Sequence, residues 1–441
     1  MSHAIAWFRA DLRLDDNPAW ATATASADQV TALFVIDPRP MASAGRMRRR
    51  ALLAHLAALD RALARHGGRL RIEQGDPVEI VPRLAQTLGA GAVHVNSDVT
   101  PYAGVRDAAV SDLVPLAVHD GRYVHAPGSV TTGKGGPYRV FSPFFRRWRG
   151  TPVDAWPDPG GARVADDPGS GVTADPSEGE AGARRRLDEF LERSDDYAAD
   201  RDRLDRDATS RLSTDLRFGV ISPRMVAVAA SEAGADAFLR QVAWREFCAQ
   251  LLQSDPDLAT RPLDRRFEQV RWRDDPEGLR RWKAGETGFP IVDAGMRQLA
   301  AEGWMNNRLR MITASFLVKD LLIDWRLGER HFRRLLVDGD LPQNVINWQW
   351  VAGVGVDAAP YFRVMNPVLQ AERHDPDGEH VRRWVPELGA IDGPGVHAPW
   401  LLADGELSGV RLGVDYPLPI VDHAEARREA IAAYEAPPTK R

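Results

Sequence analysis

Short apolar runs separated by amphipathic stretches fill the first part of the chain. Ala4 to Phe8, Thr31 to Ile36, Leu70 to Glu73, Ala92 to Val95 and Tyr123 to His125 read as strands, with helical spacing from Arg48 to Arg65 between two of them. This alternation predicts βαβ units over residues 1–130, an α/β domain with a Rossmann-like parallel sheet covered by helices on both faces. No Gly-x-Gly-x-x-Gly opens the first helix, so an ordinary dinucleotide site is not expected there. Residues 131–182 are expected to form a linker, and from 151 onward they are rich in Pro, Gly, Asp and Ser without any apolar period. Beyond Ala183 the apolar positions recur at helical spacing, as in Pro290 to Leu299 and Leu309 to Trp325. A nearly all-α second domain over 183–441 follows.

At 441 residues the chain is about three times a typical single domain, which agrees with two domains and a sizeable core. The one cysteine, Cys248, excludes an internal disulfide and sits on an apolar pattern, so a buried, inert thiol is expected. No apolar run approaches the roughly 20 residues that cross a bilayer, and Met1 leads straight into strand-like sequence. The expectation is a cytoplasmic monomer without membrane contact.

Charge changes the picture only when read by region. The formal net charge is -5, but Thr151 to Gly182 holds seven acids against one Arg, whereas Arg261 to Arg334 holds sixteen Lys or Arg against eleven acids. The helical part is therefore net basic, which suits a polyanionic partner or a plain solvated surface.

The chemistry concentrates between Asp338 and Trp350, where two carboxylates, two tryptophans and several carboxamides crowd into a few turns before the chain runs on through Asp357 to Arg363. In a helix Trp348 and Trp350 point roughly 200° apart, so one ring can face the interior and the other a cleft. Upstream, Thr209, Ser210, Arg211, Leu212 and Ser213 offer three hydroxyls and a guanidinium, which suit a pyrophosphate and equally suit the cap of a helix.

These words, with Trp7-Phe-Arg-Ala-Asp-Leu-Arg-Leu-Asp-Asp-Asn-Pro18, Trp244-Arg-Glu-Phe247, Thr287 to Arg297, Gly303 to Met311, Ile312 to Trp325 and Trp384 to Leu388, resemble the DNA photolyase and cryptochrome family, class I cyclobutane pyrimidine dimer photolyases above all. The resemblance covers nearly the whole chain apart from the linker. It implies a U-shaped FAD in the helical domain and light-dependent repair of UV-damaged DNA, in which photoexcited reduced FAD passes an electron to a flipped-out dimer. By the same resemblance Tyr197, Thr209, Ser210, Arg211, Leu212, Ser213, Arg310, Asp338, Asp340 and Asn344 contact FAD, with Asn344 facing the flavin N5 and Arg310 paired with Asp338. Trp348, Trp325 and Trp272 match the family's electron relay, a role that suits oxidisable indoles. Arg201, Gln241, Trp244, Asn307, Arg308, Met311, Trp350 and Gln370 match DNA or lesion contacts, with Trp244 and Trp350 as the stacking rings. No metal site is implied.

One position departs from the pattern. Gln241 stands where dimer photolyases usually carry Glu, so an amide replaces the charge-assisted hydrogen bond to the lesion. The same Gln occurs in cryptochromes and in enzymes for the (6-4) photoproduct. The latter, however, carry cavity histidines where this chain has Asn306-Asn-Arg-Leu-Arg-Met311. A cryptochrome-like photoreceptor stays open as the alternative, although the brief Pro-Pro-Thr-Lys-Arg441 coda lacks a signalling tail. A nucleic-acid binder with a structural flavin would leave Asn344 and the relay unused. In the first domain, Asp98 to Asp107 is more similar to sites for an 8-hydroxy-5-deazaflavin antenna than to sites for methenyltetrahydrofolate, where an Asn-Glu pair would replace Tyr102-Ala103. An empty or flavin-filled site also remains open.

Overall fold

The computed structural model describes residues 1–153, 158–166, 174–356 and 363–435. The predicted linker is thus described in part, while residues 357–362 of the Trp-rich segment and the 437–441 coda lie outside the described residues. The chain forms two compact units. Met1–Ala198, Ser210–Pro256 and Val337–Gln343 make the first, and Ala199–Thr209, Asp257–Leu336 and Asn344–Arg441 the second.

In the first unit β1 (His3–Phe8), β2 (Gln29–Ile36), β3 (Leu70–Gln74), β4 (Ala90–Asn96) and β5 (Leu116–His119) run parallel in the order β3-β2-β1-β4-β5. A sixth strand, β6 (Arg163–Val164), pairs with β2 from inside the predicted linker, a contact that two residues of sequence could not announce. Helices α1 (Pro18–Ser26), α2 (Arg46–Ala64), α3 (Pro77–Leu88) and α4 (Pro101–Ser111) connect or flank the strands. Three of them start at a proline, with Asn17, Asp76 and Thr100 accepting from the first free N–H groups. Ile5, Leu33, Val35, Val93 and Val95 pack against Ile80, Val81 and Leu84 of α3, which explains why the strands read as nearly continuous apolar runs. Strand order reverses between β1 and β4, leaving a crevice at their carboxyl ends.

No strand forms at Tyr123–His125, contrary to the sequence expectation. The N–H groups of Val124 and His125 donate to the Glu246 carboxylate at 2.8 and 3.2 Å, so a side chain replaces a ladder. Burial pushes that carboxyl up to about 7. Glu246 lies on α6 (Asp236–Ser254), against which α5 (Phe141–Arg149) packs. Cys248, on the same helix, is fully buried and its thiol is pushed up by burial, as an inert thiol should be. The opening motif is also architectural: the buried Arg13 donates to the carbonyls of Asp16, Gly121 and Gly219 at 2.8, 2.7 and 3.1 Å.

The second unit contains α7 (Pro290–Glu302), α8 (Asn307–Ser315) continued by a π-turn at Phe316–Asp320, and α9 (Trp325–Leu335). It also holds most of α10 (Leu341–Ala352), with α11 (Pro367–His374) and α12 (His423–Glu435). Among its described residues there is no strand. Asp293, buried on α7, accepts from Thr287 N–H and hydroxyl at 2.7 Å each and from the Tyr416 hydroxyl at 2.6 Å, so the Thr287 to Arg297 motif secures the fold. Among the described residues no helix is long and apolar enough to cross a membrane.

Candidate functional site

Helix α10 divides its chemistry by face. Asn344 and Trp348, four residues apart, are both buried, whereas Trp350 on another face is only partly so. The Asn344 amide donates to the carbonyl oxygen of Glu329 at 2.9 Å and to its carboxylate at 3.0 Å, which spends the N–H₂ group and leaves the amide oxygen to accept. Glu329 sits on α9 in the stripe Trp325, Gly328, Glu329, Phe332, all buried. Burial raises its carboxyl while Arg333, 3.2 Å away, pulls it back. Sequence reasoning missed Glu329, although a carboxylate in an apolar i, i+3, i+4, i+7 stripe was the available signal.

Two of the three relay candidates, Trp348 and Trp325, are buried in one apolar cluster at 3% and 1% exposure, and the partly exposed Trp272 packs against it. Trp348 meets Phe332 edge-on at 5.0 Å and Trp282 at 6.2 Å. Gly328 permits this, because a Cβ there would lie 2.2 Å from Trp348 Cη2 and 2.5 Å from Leu317 Cδ2. Gly328→Ala is therefore expected to cost about 1–3 kcal/mol by overpacking. An earlier urea unfolding midpoint would show it, and an unchanged midpoint would mean that the indole moves freely. Arg310, on α8, donates to the Met305 carbonyl at 2.9 Å.

In the first unit Asp340 is buried beside Arg122 at 3.7 Å and Arg217 at 3.8 Å, yet its Oδ2 has no hydrogen-bond partner among the described residues. A buried carboxylate between two cations with an oxygen to spare is what a polar ligand would complete. Asp338 is buried on the same short segment. Arg122 and Arg217 were not foreseen; both are isolated cations within ordinary loop or helix sequence. Arg211 takes the left-handed conformation, φ 55°, just before the short helix Ser213–Phe218, and the N–H of buried Leu212 donates to the Ser210 hydroxyl at 3.4 Å. Thr209 is partly exposed at the end of a second-unit segment. Tyr197 is buried edge-on against Phe190 and Phe238 at 5.3 and 5.8 Å. Arg310 and Asp338 belong to different units.

The expected lesion and DNA residues fall on both units as well. On α6, Gln241 and Trp244 are partly exposed, and the Trp244 ring lies 4.4 Å from Phe141. In the second unit Asn306 caps α8 and donates to the Arg201 carbonyl at 3.1 Å, and Asp202 pairs with Arg308. Asn307 is exposed and reaches the Met311 sulfur at 3.7 Å. Trp350 and Gln370, on α10 and α11, are partly exposed.

At the crevice between β1 and β4 the antenna candidate segment is held by pairs within the chain. Arg9 and Arg106 both engage Asp107, at 2.6 and 2.8 Å, and both guanidiniums lie over the Trp7 ring, at 5.1 and 5.0 Å from its centroid. Tyr102 donates to the Asp37 carboxylate. Against the upward push of burial, Arg122 and Arg9 hold the Asp98 carboxyl well below the usual range.

Comparison with known proteins agrees with this architecture in both parts. A family model described as DNA photolyase matches residues 4–160, and one described as the FAD binding domain of DNA photolyase matches residues 238–436. Deoxyribodipyrimidine photo-lyase of Streptomyces griseus is 43% identical over 97% of this chain and 98% of its own. The protein of that name from Escherichia coli K12 is 40% identical over 99% of each. Among solved structures, a class III photolyase from Agrobacterium tumefaciens superposes with a TM-score of 0.91 at 39% identity, covering 98% and 97% of the two chains. A Synechocystis cryptochrome superposes at 0.89 with 26% identity, covering 98% and 99%. With two family models spanning most of its length and relatives 40–43% identical over nearly the whole chain, the chain belongs to the DNA photolyase family, as an enzyme with an α/β first domain and a helical FAD-binding domain.

Proposed function

We propose that the chain repairs cyclobutane pyrimidine dimers in UV-damaged DNA under blue or near-ultraviolet light. The observation that carries this is the Asn344 amide, its N–H₂ committed to Glu329 and its oxygen left to accept, on the same buried face as Trp348. An amide so oriented favours the N–H of a reduced flavin without adding charge. In the first unit the unsatisfied Asp340 oxygen is likewise free to meet a polar ligand. FAD, reduced and photoexcited, would supply the electron that opens the dimer. Tyr197, Thr209 to Ser213, Arg310, Asp338, Asp340 and Asn344 would hold it, and Trp272, Trp325 and Trp348 would return electrons from the surface. A dimer in a duplex must leave the stack to be reached, as photolyases require. Trp244 and Trp350 would receive it, with Gln241, Asn307 and Met311 beside them and Arg201, Arg308 and Gln370 on the DNA.

The names of the relatives support this reading, as does the absence of any histidine from Asn306 to Met311, which disfavours the (6-4) photoproduct as substrate. Gln241 and the cryptochrome neighbour favour a photoreceptor as the second reading. The deciding experiment mixes reduced protein with oligonucleotides bearing each lesion and illuminates them in blue. Restored thymines from the cyclobutane dimer support repair; restoration of neither lesion supports the photoreceptor. On the repair reading, Gln241→Glu is expected to tighten dimer binding by about 1 kcal/mol, roughly fivefold, because a neutral hydrogen bond becomes charge-assisted. Titration with a dimer-bearing oligonucleotide measures this, and unchanged affinity would remove Gln241 from the lesion contact.

The domain division at 130 and 182, a cytoplasmic monomer and an 8-hydroxy-5-deazaflavin antenna belong to the same proposal. The antenna assignment rests on the Asp98 to Asp107 pattern at the carboxyl end of β4. An archaeal photolyase from Sulfolobus tokodaii, 30% identical, is described with two FAD molecules, which keeps a flavin in that role as the competing occupant.

A further inference from the structure

From Gly121 to Val153 the chain has no Asp or Glu, yet it carries Arg122, Lys134, Arg139, Arg146, Arg147 and Arg149. The next segment, to Gly182, reverses this with seven acids and one Arg. Charge is segregated here, whereas a surface kept soluble would interleave the signs. Two of the six cations are occupied: Arg122 pairs with Asp98 at 2.5 Å and Arg149 with Asp236 at 2.9 Å. Lys134, Arg139, Arg146 and Arg147 are exposed and pair with no carboxylate among the described residues.

The folding of α5 forces this display. Phe141, Phe144, Phe145 and Trp148 form its buried stripe, so Arg146 and Arg147 must face outward. On the neighbouring α6, Arg240 lies over Phe141 and Phe145 at 5.3 and 4.7 Å and makes no ion pair among the described residues. Phe141 in turn touches Trp244 at 4.4 Å. The helix that carries Arg146 and Arg147 thus packs, through Phe141, against the ring expected to receive a flipped base.

We propose that α5 and the turn before it form a ridge that binds the phosphates of duplex DNA away from the lesion, with Lys134, Arg139, Arg146 and Arg147 as its contacts. This rests on the repair reading, since a free dimer would need only the pocket and a dimer in duplex would use both. Mass action through released counterions would supply the affinity, so its signature is a salt dependence.

The test uses the whole flavin-loaded protein and the double variant Arg146→Ala/Arg147→Ala, both at exposed positions outside the pocket. Affinity for lesion-bearing and undamaged duplex is measured over a salt series, beside repair of a thymine dimer dinucleotide free in solution. The slope of log affinity against log salt is expected to shrink by about 1.8, at about 0.9 per phosphate, with roughly tenfold weaker duplex binding at low salt. Repair of the free dinucleotide should not change, and Arg146→Lys/Arg147→Lys should restore the slope. An unchanged slope overturns the ridge, as does equal loss of dinucleotide repair, which would place the defect in the Trp244 pocket. If the parent protein repairs no dimer, the repair reading fails by itself, and the slope on undamaged duplex still decides the ridge.

Discussion

Trp348→Phe is expected to abolish light-driven reduction of oxidised FAD while leaving dimer repair by chemically reduced protein intact. The phenyl ring keeps an edge-on partner for Phe332 and Trp282, now 5.0 and 6.2 Å from the indole, so the core should persist at a cost of about 1–2 kcal/mol for the space vacated. What it removes is a buried, oxidisable indole, one of the three proposed relay rings. Only about 2.7 kcal/mol of added barrier is needed for a hundredfold fall in rate, and oxidising a phenyl ring is uphill by more than that. The measurement is bleaching of the flavin band under blue light with an external thiol, beside single-turnover repair after dithionite reduction. Trp325→Phe should behave alike. Undiminished bleaching in Trp348→Phe would mean that electrons enter by a route outside the three tryptophans.

The sheet was legible because its strands are covered on both sides, so burial itself wrote the apolar runs of β1, β2 and β4. Tyr123–His125 misled for a related reason: those residues are buried, but the N–H groups of Val124 and His125 are satisfied by Glu246, and a side chain from more than a hundred positions away leaves no local trace. Many of the most recognisable words turned out to hold the fold. Arg13, Asp293 and Glu246 spend their polar atoms on loop carbonyls and backbone N–H groups. The candidate site was legible residue by residue on α10, where spacing alone separates Asn344 and Trp348 from Trp350. Its support was not. Glu329 orients Asn344 from another helix, and Arg122 and Arg217 flank Asp340 from distant parts of the chain, relations that exist only after folding. The acid-free segment around α5 was visible in the sequence from the start. Its meaning depended on which of its arginines found partners.

Trp350→Ala is expected to produce the opposite phenotype to Trp348→Phe from a position two residues away. Trp348 is closed off in the core, while Trp350 packs against the same cluster with part of its ring left open. Stacking of a base on an aromatic ring is worth about 1–3 kcal/mol, so losing the exposed face should weaken binding of a dimer-bearing oligonucleotide by roughly 5- to 150-fold. Flavin photoreduction should proceed normally, since buried Trp348, the proposed relay ring on α10, is untouched. Undamaged duplex should bind as before, because phosphate contacts do not need this ring. Trp350→Phe should recover most of the loss, as a smaller aromatic still offers a stacking face; a merely structural role would predict a lowered melting temperature without selective loss for the dimer. Equal weakening for damaged and undamaged DNA would sink the assignment, since it would make Trp350 a support of the surface in general. Separation of the two effects on one helix would show that α10 serves cofactor and substrate from different faces.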